Sequence, residues 1–220
     1  WLHAAAVPPE LVEEMSLAAS ACEAAWRDAR AADDFATVRP LLERVVKGVR
    51  ESAAAKSERL GVSPYEALMD QFDPGLSEAK VESILGTLEP AIPGLIAAAR
   101  DSQGPAPAPL DGPFDRATQE RVTRRFMERL GFDFERGRLD VSLHPFCGGG
   151  GDDVRVTTRY AEHDLTQALM GVLHETGHAL YELGLPAGWG DHPVGRARGM
   201  SLHESQSLQM EMQPDAAMKL

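Results

Sequence analysis

Along the first hundred positions, apolar residues recur at three- and four-residue steps. Leu11, Met15, Ala18, Ala19, Cys22 and Trp26 form one stripe, and Phe35, Val38, Leu41, Leu42, Val45, Val46 and Val49 form a second. That spacing puts each set on one face of an α-helix and predicts two long helices with those faces buried. Asp33-Asp34 precedes the second stripe as a cap. Pro40 falls in its first turns, where a missing N–H does little harm. Gly61 and Pro64 punctuate, a short helix is expected around Tyr65–Asp70, and Asp73-Pro74-Gly75 reads as a turn. Ser77 to Glu89, Ile92 to Arg100 and Asp115 to Leu130 read as further helix. Residues 102–113 (SQGPAPAPLDGP) form a linker or an extended surface loop.

The period then changes. In residues 138–146 (RLDVSLHPF), Leu139, Val141 and Leu143 alternate with Asp140, Ser142 and His144. In residues 153–160 (DVRVTTRY), Val154, Val156 and Thr158 alternate with Arg155 and Thr157. With Gly148 to Gly151 between them, the two runs suggest a β-hairpin with a Gly-rich connection. A phosphate cradle is the weaker reading of those glycines, because no Lys-Ser/Thr pair follows. Leu165 to Leu183 returns to a helical pattern. Asp164 is placed to cap its start and Gly184 to end it in a left-handed conformation. Residues 201–213 (SLHESQSLQMEMQ) read as one more helix.

Charge narrows the partners. Lys and Arg number 22 against 34 Asp and Glu, a formal net charge of −12. Such a balance argues against nucleic acid and anionic membranes, which need clustered positive charge. No uninterrupted run of about 18 apolar residues occurs, so no transmembrane span is expected, and no signal-like segment opens the sequence. Cys22 and Cys147 are too few for a disulfide scaffold, and a cytoplasmic origin is the simplest reading.

The chemistry concentrates in His174-Glu175-Thr176-Gly177-His178, inside the helix expected from Leu165 to Leu183. Residues i and i+4 lie one above the other, about 6 Å apart along the axis. Two imidazoles there can converge on one metal ion at about 2 Å from each nitrogen. Glu175 sits off their line, placed to take a proton from a water that the metal activates. Gly177 lowers helix propensity by about 1 kcal/mol, so close packing or close ligand approach is expected there. A catalytic zinc site needs a third protein ligand and an open position. Glu182 lies on the same face but about 12 Å along the axis from His174. The extended metzincin pattern fails at Tyr181 and Gly184. Asp191, His192, His203 and Glu204 remain downstream. Glu204, on a second helix packed against the first, is favoured. His203 is the alternative, and His192 and Cys147 are outsiders.

Several motifs in order make the chain resemble the carboxypeptidase Taq family of zinc metallocarboxypeptidases. They are HPF at His144-Pro145-Phe146, D-x-R-x-T at Asp153, Arg155 and Thr157, HETGH at 174–178, and HESQ at His203-Glu204-Ser205-Gln206. TTRY at 157–160, ALYELGLP at 179–186 and PYEALMDQFDPG at 64–75 add to the match. The resemblance implies a mainly α, helical zincin-like fold with a small β-hairpin or sheet beside the HExxH helix. It implies zinc (cobalt being a workable substitute) on His174, His178 and Glu204, with Glu175 as the general base. It also implies peptide substrates held by His144, Pro145, Phe146, Asp153, Arg155 and Thr157.

One mostly helical domain over 1–220 is expected: a scaffold at 1–101, the loop at 102–113, and the hairpin with the zinc-site helices at 114–220. Family members are more than twice this length, so the chain reads as an N-terminal portion or a shortened relative, with Pro214 and the tail interrupting the last helix. Trimming of C-terminal residues from peptides is the expected activity. The alternatives are a zinc aminopeptidase or endopeptidase, or a non-catalytic metal-binding helical module. No nucleic-acid or membrane partner is expected, and a homodimer is compatible with the sequence. Arg155 and Arg159 are the local cations for a substrate carboxylate, with ion pairs to Asp152, Asp153 or Glu162 as the competing use. Tyr160 and Tyr181 are candidates to polarise an oxyanion. Main-chain pairing of the peptide is expected on the strand carrying Arg155 or the one carrying His144.

Overall fold

The structure, a computed structural model, describes residues 2–105, 110 and 112–213. Residues 106–109 and 111 of the Pro/Gly-rich stretch, and Pro214 with the tail, lie outside the described residues. The chain forms two compact units, Trp1–Asp101 and Ser102–Leu220.

The first unit is helical: α1 (Leu2–Ala6), α2 (Pro9–Ala31), α3 (Phe35–Leu60), α4 (Pro64–Met69), α5 (Glu78–Leu88) and α6 (Ile92–Ser102, whose last residue belongs to the second unit). Asp34 caps α3 by accepting from the Thr37 N–H, Ser63 and Ser77 cap α4 and α5 in the same way, and Gly61 closes α3 at φ 71°. The long α2 and α3 pack on each other through small side chains; Ala18, Ala29, Val38 and Ala53 are buried. The two apolar stripes are only partly covered, since Trp26, Phe35, Leu42, Val46 and Val49 are exposed. A pair of packed helices encloses the residues along its contact line, and the flanks of a wide stripe stay outside. In α5 and α6 no residue is buried. Residues 78–102 are helical and apolar enough, by length and composition, to cross a membrane; a turn at Glu89–Ala91 divides them.

In the second unit, α7 (Arg116–Leu130) is capped by Asp115 and closed by Gly131 at φ 95°. Three strands follow, β1 (Gly137–Val141), β2 (Phe146–Gly150) and β3 (Asp153–Thr158), then α8 (Leu165–Leu183), two short 3-10 turns and α9 (Met200–Met212). The sheet order is β1-β3-β2. β1 runs parallel to β3, Leu139 opposite Val156, and β2 runs antiparallel to β3, Cys147 opposite Val156.

The hairpin expected between the two alternating runs is therefore corrected. Its partners are β2 and β3, and the glycines are themselves the strand. Glycine offers no side-chain alternation to read, yet its main chain pairs as well as any. Gly149 sits at φ 84°, where a Cβ would run into the Asp153 carbonyl, so the strand can bend there only with glycine.

Met127, Phe132, Leu139, Val154, Val156, Val172 and Ala179 form one core between α7, the sheet and α8. Burying each of the three valines contributes about 1.5–3 kcal/mol. The core fixes α8 with one side against the sheet. Asp164 caps α8 through the Gln167 N–H as expected, but Gly184 ends it at φ −84°, not left-handed. Its N–H still reaches the Leu180 carbonyl at 3.0 Å and Leu185 the Glu182 carbonyl at 3.3 Å. The chain thus leaves by a right-handed turn into Pro186.

Candidate metal centre

α8 and α9 supply the site. Gly177 lies where they touch: a Cβ there would come within 2.5 Å of Ser207 Cα and 2.8 Å of the Gln206 carbonyl carbon. The glycine inside the HETGH stretch is thus a packing requirement, and the close crossing lays one turn of α9 over the two histidines. Ser207 is fully buried at this contact, its hydroxyl donating to the Glu204 carbonyl at 2.7 Å.

His174 and His178 lie one turn apart and meet edge to face, ring centroids 5.0 Å from each other. Glu204 faces both: its carboxylate lies 3.7 Å from His174 Nε2 and 3.3 Å from His178 Nε2. The three donor atoms fall within 4.8 Å of one another, and among the described residues they form the group able to hold a metal ion. The other ring nitrogens point away. His174 Nδ1 lies 2.9 Å from the Glu211 carboxylate and His178 Nδ1 2.6 Å from His203 Nδ1. His203 Nε2 in turn lies 2.8 Å from Glu182, and the Tyr181 ring packs on His203 at 4.9 Å. Burial holds the His178 imidazole below its ordinary range, with the charges of His203 and His174 acting the same way. A neutral ring is what metal coordination requires.

Glu175 is buried against β2. Burial pushes its carboxyl above the ordinary range, and Glu204 pushes the same way; His174, His144 and the Cys147 main-chain N–H act in the opposite direction. Below the unfolded value near 4.5, the group is protonated in both states and folding pays no penalty for it. Stability then falls as pH rises through the raised folded value. In the metal-free protein, Glu175→Gln should therefore raise the melting temperature at pH 7–8 and leave it unchanged near pH 3.5, as thermal unfolding across that range would show. Cys147 lies beside this carboxyl. Burial, with Glu175 and Glu182 nearby, pushes its thiol up to about 12, far from the thiolate that binds zinc.

The remaining expected residues divide. The HPF turn is brought to α8. Pro145 Cγ lies 3.5 Å from where a Gly171 Cβ would stand, His144 is close enough for its charge to act on Glu175, and Phe146 opens β2. Thr157 pins that turn: its hydroxyl accepts from the Phe146 N–H at 3.1 Å and meets Ser142 Oγ at 2.6 Å. Asp153 and Arg155 alternate with the core valines and so face away from α8. They form a two-point ion pair at 2.8 and 3.0 Å. Arg138 and Asp140 pair likewise on β1. Tyr160 turns to Thr123, 3.2 Å away, and Arg159 is exposed. β3 carries Arg155 in the middle of the sheet with both edges paired, so it has no edge for a peptide; β1 and β2 have the free edges. Asp191 and His192 are exposed, His192 packing on Trp189.

The sequence reading did not anticipate Glu211 or the Glu182–His203 link. Both had a periodic signal: Glu211 follows Glu204 by seven residues, two helical turns, and Glu182 follows His178 by one.

Two imidazoles on one buried helix and a carboxylate from a second, with a small sheet beside the first, make up a candidate metal centre in a mainly helical unit. The model of the carboxypeptidase Taq (M32) metallopeptidases matches residues 1–214, and the chain belongs to that family. It is 36% identical over 210 residues to thermostable carboxypeptidase 1 of Pyrococcus furiosus, covering 93% of this chain and 41% of that one. Against the protein of the same name from Thermus thermophilus the identity is 36% over 218 residues, covering 95% and 43%. Trypanosoma cruzi metallocarboxypeptidase 1 superposes with a TM-score of 0.83 at 39% identity, over 94% of this chain and 42% of that structure. The chain spans about two-fifths of the length of the curated relatives it matches.

Proposed function

We propose that the chain carries the hydrolytic centre of a zinc-dependent metallocarboxypeptidase, with His174, His178 and Glu204 as ligands and Glu175 as general base. The observation that carries this reading is the convergence of His174 Nε2 and His178 Nε2 on the Glu204 carboxylate while both Nδ1 atoms are engaged elsewhere. That donor set, two imidazoles and a carboxylate, suits Zn2+ with a position left open, and Co2+ takes the same ligands. When bound, the cation supplies Lewis acidity toward a peptide carbonyl and toward water.

The protein's own part is proton handling and placement. Glu175 takes a proton as water adds to the scissile carbonyl, and returns it to the amine as the C–N bond breaks. Its burial favours this exchange, since a raised carboxyl pKa makes a stronger base. The substrate main chain lies along the edge strand β2, which brings Cys147 and the His144–Phe146 turn up to Glu175. Thr157 acts by holding that turn. A carboxypeptidase must also read the free terminal carboxylate, and the Arg155 fork is already occupied by Asp153. Peptides are the substrates, and two unpaired cysteines fit a reducing, cytoplasmic setting.

The test compares zinc-loaded protein on N-blocked and on C-amidated peptides. Release of the C-terminal residue from the first and none from the second is expected, with Glu175→Gln reducing the rate at least a hundredfold. Cleavage of the amidated peptides alone would make it an aminopeptidase, and internal cleavage of both an endopeptidase. Stoichiometric zinc with no cleavage of any peptide would leave a metal-binding module.

A further inference from the structure

With both rings neutral, the Nδ1–Nδ1 contact between His178 and His203 has one consistent proton arrangement. A carboxylate can only accept, so Glu182, 2.8 Å from His203 Nε2, requires the proton of neutral His203 on Nε2. His203 Nδ1 is then bare and can only accept. His178 Nδ1, 2.6 Å away, must donate to it. With its proton on Nδ1, His178 keeps a free lone pair on Nε2, the atom 3.3 Å from Glu204. Glu211 does the same for His174 directly, at 2.9 Å from Nδ1.

We infer that Glu182 and His203 form a directional relay that fixes the tautomer of His178, so that its Nε2 is presented as a metal ligand. Both are positioning residues, and the inference rests on the reading of His174, His178 and Glu204 as a metal site. The surroundings support a fixed geometry. Tyr181 packs edge-on against the His203 ring, and Glu182, His203 and His178 are all largely buried, with side-chain exposures of 20%, 14% and 12%. The second Glu182 oxygen lies 3.7 Å from where a Gly150 Cβ would stand, an ordinary contact distance that places the carboxylate beside β2. That carboxylate also borders a cavity of about 600 Å³ shared with Arg136, Asp191 and Arg196. Glu182 thus joins the α8–α9 site to the β2–β3 hairpin.

The test is Glu182→Gln, which keeps the shape and a hydrogen bond but lets the amide donate as well as accept, so the relay loses its direction. In the metal-free 15N-labelled protein, long-range 1H–15N imidazole spectra should show His178 protonated on Nδ1. In Glu182→Gln the same ring should show mixed tautomers, and Zn2+ affinity, measured by competition with a chelating dye, should fall roughly 10- to 100-fold. Glu182→Leu should lose at least as much. A wild-type His178 ring protonated on Nε2, or a Glu182→Gln protein with unchanged tautomer and affinity, would overturn the relay. Failure of the wild-type chain to bind Zn2+ at all would overturn the metal reading instead, and the tautomer spectra would still decide the relay.

Discussion

Gly177→Ala is expected to weaken metal binding more than tenfold and to destabilise the metal-free protein by about 1–3 kcal/mol, the usual range for overpacking a close contact. Local propensity argues the other way, since alanine in a helix is favoured over glycine by about 1 kcal/mol. The sign of the net effect is therefore diagnostic. The added methyl would meet Ser207 Cα at 2.5 Å and the Gln206 carbonyl carbon at 2.8 Å, both backbone atoms that no rotamer change can move. α9 must shift as a body, and it carries Glu204, Glu211 and His203 together. A displacement of even about 1 Å degrades a constellation held to within roughly 0.5 Å. Denaturant unfolding without metal and a zinc titration check the two parts. A Gly177→Ala protein that is about 1 kcal/mol more stable and binds zinc normally would mean that the helices do not cross this closely.

Metal loading should itself stabilise the fold, and the ligand variants should abolish that gain. Free zinc at about a hundred times Kd adds about 2.7 kcal/mol, a rise of roughly 5–10 °C in Tm for a chain of this size. His178→Ala and Glu204→Ala should show no such rise. His178→Ala should also start lower, because His203 Nδ1 loses its donor and an unsatisfied buried acceptor costs about 1–3 kcal/mol. Glu175→Gln should keep the full rise while losing hydrolysis, which separates the base from the ligands. A chelator should return every stabilised protein to its metal-free melting temperature. Zinc retained by Glu204→Ala and lost by His203→Ala would put the second imidazole, not the carboxylate, in the site.

Much of this was legible in the residues because it is local. The two long helices, the Asp34 cap of α3 and the HETGH helix with its Asp164 cap follow from three- and four-residue periodicity and from side chains that reach only their own first turn. The spacing of His174 and His178 fixes their shared face before any packing is known. β2 escaped notice because Phe-Cys-Gly-Gly-Gly carries no alternation; it is a strand only through pairing with β3. The exposed flanks of the α2 and α3 stripes escaped too, since periodicity marks which face is apolar and not how much of it a neighbour covers.

From the sequence alone came a mainly helical protein with a candidate metal site, its first two candidate ligands and its candidate base, since those residues share one helix and helical geometry sets their distances. Tertiary structure alone decided that Gly177 serves the α8–α9 crossing, that Glu204 faces both Nε2 atoms, and that Glu211, His203 and Glu182 hold the outer sides of the rings. Those contacts join residues 20 to 40 positions apart, and a distance across two packed helices depends on how closely their backbones approach, which no spacing along one chain records.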